Sequence, residues 1–283
     1  MVLQLLVKRI LLVILALFVA LFGVCAYLML RADRAVPVLN YHQINDHAEN
    51  ALTVHTQQFD KQMRYLAENG YHAITPNDLI DAWQNGTPLP DKPVVITFDD
   101  GYVDNYENAY PILKKYNLRG TFFVVTDFLG QYSNYMTWEQ VAELHKSGII
   151  DIESHTLSHV ELDKTSPEET WHQLKGSKDV LEQRLGKTIN FIAYPGGSYN
   201  EELERLTKEA GYRAAFTVHC GLADPKENPY ILDRLPIFGS NTHTFLRFKT
   251  RLLFTPIVAP LDHIYRALIA NDHTILAKFI PLP

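Results

Sequence analysis

The chain has 283 residues, 47% hydrophobic and 20% charged, which is enough for one large domain or two small ones with a sizeable core. Its formal net charge of −6, with no basic stripe, excludes nucleic acid as an expected partner. The two cysteines, Cys25 and Cys220, are too few for a disulfide framework or a cysteine-based zinc site.

The first predicted element is an uninterrupted apolar run, Ile10 to Leu30. As a helix it is long enough to span a bilayer core of ~30 Å, and it exceeds the roughly 7–15 apolar residues of a cleavable signal. We therefore interpret residues 1–34 as an uncleaved signal anchor with a single transmembrane helix. The alternative is lipidation at Phe22-Gly-Val-Cys25, which resembles a lipoprotein box only loosely. Basic residues flank the run on both sides, so the positive-inside rule leaves the orientation open.

Short apolar runs typical of buried parallel strands then alternate with predicted helices. Helices are predicted to begin at the capping sequences that start at Thr75, Thr137 and Ser166. They are predicted to end at Gly70, Gly86, Gly148, Gly186 and Gly211. The predicted strands are Val36–Asn40, Ala73-Ile74, Val94–Phe98, Gly120–Val125, Ile149–Glu153, Ile189–Ala193, Ala214–Val218 and, more weakly, Leu232–Ile237.

Seven or eight β-then-α units predict an α/β fold, a distorted (β/α) barrel of seven or eight parallel strands. A doubly wound open sheet is the alternative, but no glycine-rich phosphate loop follows any strand. We assign residues 35–240 to this domain and 241–283 to an apolar and basic tail. Leu246–Phe254 mixes bases with large apolar groups, which fits a terminal helix packed on the domain or a segment on a membrane surface.

Polar side chains follow several of these strands at the point where each strand ends. His42 follows the first strand, Asp99-Asp100 follow Val94–Phe98, and Tyr194-Pro-Gly-Gly-Ser198 follows Ile189–Ala193. Ser154-His155-Thr-Leu-Ser-His159 follows Ile149–Glu153. Because active sites of β/α barrels lie at the C-terminal ends of the strands, we expect these residues to converge.

This set of residues predicts a metal centre. Adjacent aspartates raise each other's pKa, and a cation that takes one of them as a ligand relieves this. Asp100, His155 and His159 make three ligands with open positions, which leaves Asp99 as general base for a water made more acidic by the ion. His42 would then protonate the leaving group. Singly, each feature has an ordinary structural interpretation as a turn, an exposed histidine pair or packing; their joint placement at strand ends favours the site.

Thr97-Phe-Asp-Asp-Gly101 together with Ser154-His-Thr-Leu-Ser-His159 resembles the signature pair of the polysaccharide deacetylases, the carbohydrate esterase family that includes nodulation and chitin deacetylases. Tyr194-Pro-Gly-Gly197 is similar to their third motif, and the resemblance covers roughly Val36 to Ile237. It implies that Asp99 is the catalytic base. It also implies a divalent ion, zinc by preference with nickel, cobalt or iron as alternatives, held by Asp100, His155 and His159. The Tyr194 backbone N–H would bind the oxyanion of the tetrahedral intermediate.

The acid histidine of most family members comes from a late Leu-x-His motif, for which His243 and His273 lack the setting. Leu39-Asn-Tyr-His42 instead resembles the circularly permuted branch, the poly-N-acetylglucosamine deacetylases of biofilm exopolysaccharide. The resemblance implies that His42 is the general acid and that the substrate is an extracellular N-acetylglucosamine polymer. It also implies an extracytoplasmic domain at the cell membrane, with polysaccharide synthase and export machinery as partners by analogy.

The sequence departs from the family in two places. Ile192 and Ala193 stand where the third motif commonly carries an arginine that pairs with the base, and no tryptophan-bearing fourth motif is evident. We assign Asp233-Arg234 a supporting role. The alternatives are a peptidoglycan or chitin-oligomer deacetylase, a non-catalytic polysaccharide-binding protein, and a non-haem iron oxygenase. The oxygenase alternative would leave Asp99 and His42 without a function.

Overall fold

A computed structural model describes residues 2–31, 34–239 and 244–270, together with 273 and 276. His243 and most of the last thirteen residues lie outside the described residues. Helix α1, Val2–Arg31, contains an apolar stretch, Leu6–Met29, with a mean hydropathy of 2.9. By length and composition this stretch could be a membrane span or a signal sequence, which agrees with the predicted N-terminal helix.

The centre of the domain is a closed ring of seven parallel strands. The ring strands are β1 Val38–Tyr41, β5 Pro93–Phe98, β6 Gly120–Val124, β7 Ile150–Ser154, β8 Phe191–Ala193, β9 Ala214–Cys220 and β10 Leu232–Pro236. Their order around the ring is β1–β10–β9–β8–β7–β6–β5, and β5 pairs back with β1. An eighth strand, β4 (His72–Ile74), pairs with the first half of β5 and is not a member of the ring. The predicted α/β barrel is therefore confirmed. Two short strands, β2 Gln43–Ile44 and β3 Thr53–Val54, pair with each other beside the ring.

Successive side chains of the ring strands belong to two different hydrophobic clusters. In β5, Val94 and Ile96 join a large cluster with helix residues, whereas Val95 joins a smaller one with Phe123 of β6 and Phe216 of β9. Because side chains along a strand point alternately to its two faces, the large cluster lies beneath the surrounding helices and the smaller one lies on the other face, inside the ring. Polar residues that continue the inner face can thus meet at the carboxyl end of the barrel.

Three of the helices begin where local capping chemistry predicts. Thr75 and Thr137 each form a capping box with the residue three positions later, and Ser166 accepts a hydrogen bond from the Glu169 N–H. Gly86 and Gly186 end their helices in the left-handed conformation. The helices between α1 and the last helix are α2 Thr56–Glu68, α3 Pro76–Asn85, α4 Tyr110–Lys115, α5 Trp138–Lys146, α6 Pro167–Leu185 and α7 Glu201–Glu209. A π-helix, Asn105–Ala109, precedes α4.

The last helix, α8, runs from Phe245 to Ala270. Residues up to Leu253 belong to the same compact unit as the barrel, which begins at Val36. Phe248 and Leu252 are buried in the large hydrophobic cluster, and the Phe248 ring lies 6.3 Å from that of Tyr65. The start of the tail is thus a helix packed on the domain. A second apolar stretch, Phe245–Ile269, also has the length and composition of a membrane span, and the boundaries predicted for the domain and tail stay a prediction.

Candidate metal and catalytic centre

Three side chains at the carboxyl end of the barrel form a group that could hold a metal ion. Asp100 follows β5, whereas His155 and His159 lie in the loop after β7. Asp100 Oδ1 is 3.3 Å from Nε2 of each histidine, and the three ligand atoms lie within 4.8 Å of one another. The three ligands predicted from the sequence are thus brought to a single point.

The surroundings of this group fit a divalent cation. Asp100 Oδ1 is buried and has no hydrogen-bond partner among the described residues, so a cation would satisfy it. The Nδ1 atom of His155 is 2.8 Å from the Ala193 carbonyl oxygen, an outer contact that turns Nε2 toward the ligand point. Burial raises the pKa of Asp100, but the two imidazoles outweigh it and hold this pKa well below its usual range. The His159 side chain is 40% exposed, which leaves an open side for water and substrate.

The backbone around the ligands is left-handed at three residues that are not glycine. The φ angles are 75° at Asp100, 71° at Thr156 and 60° at His159. Such angles cost free energy for residues with a Cβ, and they occur most often at functional sites. The Thr156 hydroxyl accepts a hydrogen bond from the His159 N–H at 3.1 Å. A tight loop rather than a helical turn therefore brings the two histidines together.

Asp99 is buried beside this group and is held by an arginine from the last ring strand. Arg234 is fully buried, and its Nη1 and Nη2 donate to Asp99 Oδ1 and Oδ2 at 2.8 and 2.7 Å. Asn40 of β1 donates to Oδ2 at 2.9 Å. Burial raises the pKa of Asp99, but the positive charge of Arg234 outweighs it, and the net pKa lies below the usual range. The carboxylate is consequently ionised and fixed in orientation.

The third motif lacks the arginine that commonly pairs with the carboxylate of the proposed catalytic base. Arg234 takes its place, because it pairs with Asp99. Its Nε donates to the Thr217 carbonyl oxygen at 2.7 Å, and Nη1 donates to the Thr97 hydroxyl at 3.2 Å. The sequence signal was Asp233-Arg234 in a predicted strand, which supported a role without identifying its partner. Asn40 was missed, although it lies within the same Leu-Asn-Tyr-His stretch as His42.

His42 lies just after β1 and close to Asp99. Its Nε2 is 4.0 Å from Asp99 Oδ2, and the side chain is 15% exposed. Burial lowers the pKa of His42 below 6.5, although Asp99 and Asp100 act in the opposite direction. The backbone carbonyl of His42 accepts a hydrogen bond from Asn105 at 2.7 Å. The structure thus brings His42 next to Asp99, the residue that the sequence predicts to be the base.

Tyr194 does not offer the free N–H expected of an oxyanion donor. Its backbone N–H donates to the Phe216 carbonyl oxygen at 3.0 Å, and its buried hydroxyl donates to Thr207 Oγ1 at 3.1 Å. The N–H could reach an oxyanion only by sharing or breaking the bond to β9. The following turn is tightly packed, since a Cβ on Gly197 would lie 2.6 Å from the Val218 nitrogen. In this geometry the Tyr194 N–H stabilises the pairing of the end of β8 with β9.

An arginine-held carboxylate, a histidine beside it and an Asp/His/His group that could hold a metal ion lie together at the carboxyl end of a parallel barrel. This arrangement is typical of metal-dependent hydrolases. Comparison with known proteins gives the same class. The polysaccharide deacetylase family model matches residues 86–215. The Bacillus subtilis protein whose full name is "Putative polysaccharide deacetylase YxkH" is 34% identical over 212 residues, which cover 75% of each chain.

Two further relatives have more specific names. The poly-beta-1,6-N-acetyl-D-glucosamine N-deacetylase of Staphylococcus aureus is 28% identical, over 65% of this chain and 68% of its own length. The structure of the Streptococcus pyogenes deacetylase PplD in complex with acetate matches with a TM-score of 0.68 and 30% identity, over 72% of this chain and 92% of that one. The chain belongs to the polysaccharide deacetylase family, and the prediction of an enzyme of this class, which acts on N-acetyl groups, is confirmed.

Proposed function

We propose that the protein removes N-acetyl groups from a polymer of N-acetylglucosamine outside the cell, with poly-β-1,6-N-acetylglucosamine as the preferred substrate. The observation that carries the chemistry is the convergence of Asp99, His42 and the Asp100–His155–His159 group at one end of the barrel. The preference for this polymer is supported by the similarity to the Staphylococcus aureus enzyme. The class of reaction is hydrolysis of an amide, which yields acetate and a free amine.

In this proposal Asp100, His155 and His159 hold the ion. When bound there, a divalent ion supplies Lewis-acid chemistry, which makes water more acidic and polarises a carbonyl oxygen. Asp99 accepts the proton of the attacking water, and Arg234 keeps the carboxylate ionised and oriented for this step.

His42 delivers a proton to the departing amine nitrogen. Because its pKa is lowered, the imidazole is mostly neutral at rest near pH 7, and it must first receive a proton. Asp99 Oδ2 is the nearest source, 4.0 Å from His42 Nε2, a gap that a small approach or one bridging water closes. The pair thus takes a proton from water and returns it to the leaving group.

We also propose that Leu6–Met29 anchors the protein in the cell membrane with the catalytic domain on the extracytoplasmic side. The substrate sets this orientation, because the polymers in question lie outside the cell. The proposed partners are a polysaccharide synthase and export machinery, because the polymer must be made and exported before it can be deacetylated outside the cell. Protection of the catalytic domain from protease added to intact spheroplasts would contradict the orientation.

The test is acetate release by the full-length protein, stripped of metal and reconstituted with zinc, nickel, cobalt or iron. The substrates are poly-β-1,6-N-acetylglucosamine, peptidoglycan strands and chitin oligomers. Asp99→Asn and His42→Ala should each lower kcat by roughly 10²–10⁴-fold, and Asp100→Ala should abolish metal-dependent turnover. His172→Ala, an exposed histidine on α6, serves as the matched control and should keep wild-type activity.

Three outcomes would overturn parts of the proposal. Near-wild-type turnover by Asp99→Asn or His42→Ala would remove the role assigned to that residue. Faster turnover of peptidoglycan or chitin oligomers would replace the substrate. Binding of the polymer without acetate release in the metal-loaded protein would favour a non-catalytic binding protein.

A further inference from the structure

Four aromatic side chains form a continuous shelf beside the metal group. The shelf consists of Tyr102, Phe128, Tyr132 and Tyr135. Tyr102 and Tyr135 stack with ring centroids 4.9 Å apart, and the Phe128 ring lies 4.9 Å from Tyr135 and 5.6 Å from Tyr132. The Tyr132 side chain is 56% exposed, and the other three are half-buried. A partly exposed cluster of aromatic rings next to the proposed reactive centre indicates a binding surface.

The backbone of the shelf is joined directly to the loop that carries Asp100. Tyr102 lies two residues after Asp100 and forms an antiparallel bridge with Tyr135. The Met136 N–H donates to the Gly101 carbonyl oxygen at 3.0 Å, and the Val125 N–H donates to the Asp100 carbonyl oxygen at 3.3 Å. The shelf and the metal ligand therefore form one hydrogen-bonded unit, and a molecule that lies on the shelf is placed at a fixed position relative to the reacting centre.

The same segment also contacts the loop with the two histidine ligands. The Thr126 N–H donates to the Thr156 carbonyl oxygen at 3.2 Å, and the Asp127 N–H donates to the Leu157 carbonyl oxygen at 2.9 Å. Residues 125–137 are thus attached to both parts of the metal group. This attachment is what a surface that orients a substrate requires, since small displacements of the reacting groups lower the rate strongly.

An open groove continues from the shelf at Tyr132. It has a volume of about 550 Å³ and is lined by residues that include Thr126, Asp127, Gln131, Tyr132, Trp138 and Arg184. The Arg184 guanidinium lies 5.0 Å from the centre of the Trp138 ring. Its volume lies within the range of small-molecule sites, and its lining combines aromatic faces with a few polar groups.

We propose that the shelf and the groove form a subsite for a hexosamine residue of the glycan, next to the residue that is deacetylated. This inference rests on the proposed function. A pyranose ring has an apolar C–H face that lies flat on an aromatic ring, and hydroxyl groups at its edge that need polar partners. Tyr132 offers the face, whereas Asp127, Gln131 and Arg184 offer acceptors and donors around it.

The chemistry of the groove favours a glycan over a lipid surface. Surfaces that lie on membranes carry a rim of lysine and arginine around an apolar face. Here the polar lining consists of one acid, one base and neutral groups, and the surface is concave. An acidic group also suits a glycan that gains ammonium groups as deacetylation proceeds, because Asp127 can pair with an amine already formed.

The test compares two substrates within each variant, a β-1,6-linked N-acetylglucosamine pentamer and p-nitrophenyl acetate, which has no sugar. The readout is the ratio of the two kcat/KM values. Tyr132→Ala should lower this ratio about tenfold, mainly through a higher KM for the pentamer. Tyr132→Phe keeps the ring and should restore most of it. Trp171→Ala, which removes an exposed aromatic residue of α6 outside the shelf, should leave the ratio at the wild-type value.

The outcomes separate the subsite from the proposed function. An unchanged ratio in Tyr132→Ala would overturn the subsite while acetate release remained intact. No acetate release from any glycan by the wild type would overturn the proposed function; the pentamer would then be titrated calorimetrically, and equal affinity in the wild type and Tyr132→Ala would overturn the subsite as well. An unchanged ratio with weaker sedimentation on phosphatidylglycerol vesicles would identify the shelf as a lipid contact and overturn the subsite.

Discussion

At the scale of single residues, the ion pair between Asp99 and Arg234 joins the end of β5 to β10 in the interior of the domain. Both side chains are almost entirely buried, and the two hydrogen bonds between them are 2.8 and 2.7 Å long. A buried carboxylate without its partner is strongly unfavourable, because neither water nor another charge compensates it. We therefore expect both the stability of the domain and the proposed catalysis to depend on the Arg234 guanidinium.

Arg234→Ala should lower the free energy of unfolding by about 3–5 kcal/mol, because it leaves a buried charge unpaired. It should also abolish acetate release. Arg234→Lys keeps the charge but cannot make the bidentate contact, so its activity should lie well below that of the wild type. Denaturant unfolding and acetate release measure both effects. Arg213→Ala, which removes a partly exposed ion pair with Asp81, is the control and should cost about 1 kcal/mol or less.

Single residues differ in how far the sequence predicts them. Asp100, His155 and His159 were predicted because each follows a recognisable strand, and the ends of parallel strands meet. The partner of Arg234 could not be predicted, since it depends on the contact between strands that are 135 positions apart in the chain. The hydrogen bond of the Tyr194 N–H depends on the register of β8 with β9, which no local pattern specifies.

At the scale of elements, the π-helix Asn105–Ala109 supports the loop that carries His42. Asn105 donates to the His42 carbonyl oxygen at 2.7 Å, and Asn108 of the same helix donates to the Ile44 carbonyl oxygen at 2.8 Å. π-helices are rare and occur frequently at functional sites. The two asparagines thus hold neighbouring parts of one segment, but only the first contacts the proposed acid residue.

Asn105→Ala and Asn108→Ala should each cost about 1–3 kcal/mol, because each leaves a carbonyl oxygen without its donor. Only Asn105→Ala should also lower kcat by about tenfold or more, since His42 loses a contact that fixes its position. Thermal unfolding and acetate release on the two variants provide the comparison. An equal effect on kcat in both variants would mean that the π-helix acts through stability alone.

Elements with a clear local signal in the sequence were predicted well, whereas turns and helix types without such a signal were not. The capping boxes at Thr75 and Thr137 lie where the sequence places them, because the hydrogen bonds join residues three apart. The left-handed turns at Thr156 and His159 carry no glycine, so nothing in the sequence indicated them. The π-helix was missed for a similar reason, since its residues suit an ordinary helix equally well.

At the scale of the whole molecule, the barrel and residues 1–35 fall into separate compact units. Val36, the first residue of the barrel unit, exchanges backbone hydrogen bonds with Ala223 at 2.9 and 3.0 Å. The next residues form β1, which pairs with both β5 and β10 and so completes the ring. We therefore expect the residues before about position 35 to be dispensable for folding of the barrel, and those after it to be essential for folding.

A protein that lacks residues 1–34 should fold and keep the wild-type melting temperature and acetate release on a soluble oligomer. A protein that lacks residues 1–41 should not fold, because the loss of β1 opens the ring and exposes the core strands on each side. Circular dichroism melting and gel filtration of the two purified proteins distinguish these cases. A folded, active protein without β1 would contradict the closed barrel.

The order of the ring has a consequence for biosynthesis. The strand that carries Arg234 is the last of the ring to leave the ribosome, and it is the one that joins β9 to β1. A growing chain already contains the three proposed metal ligands by residue 159, yet Asp99 gains its guanidinium partner only when residue 234 is in place. We therefore expect hydrolytic competence to begin only after β10 has left the ribosome and has paired with β9 and β1.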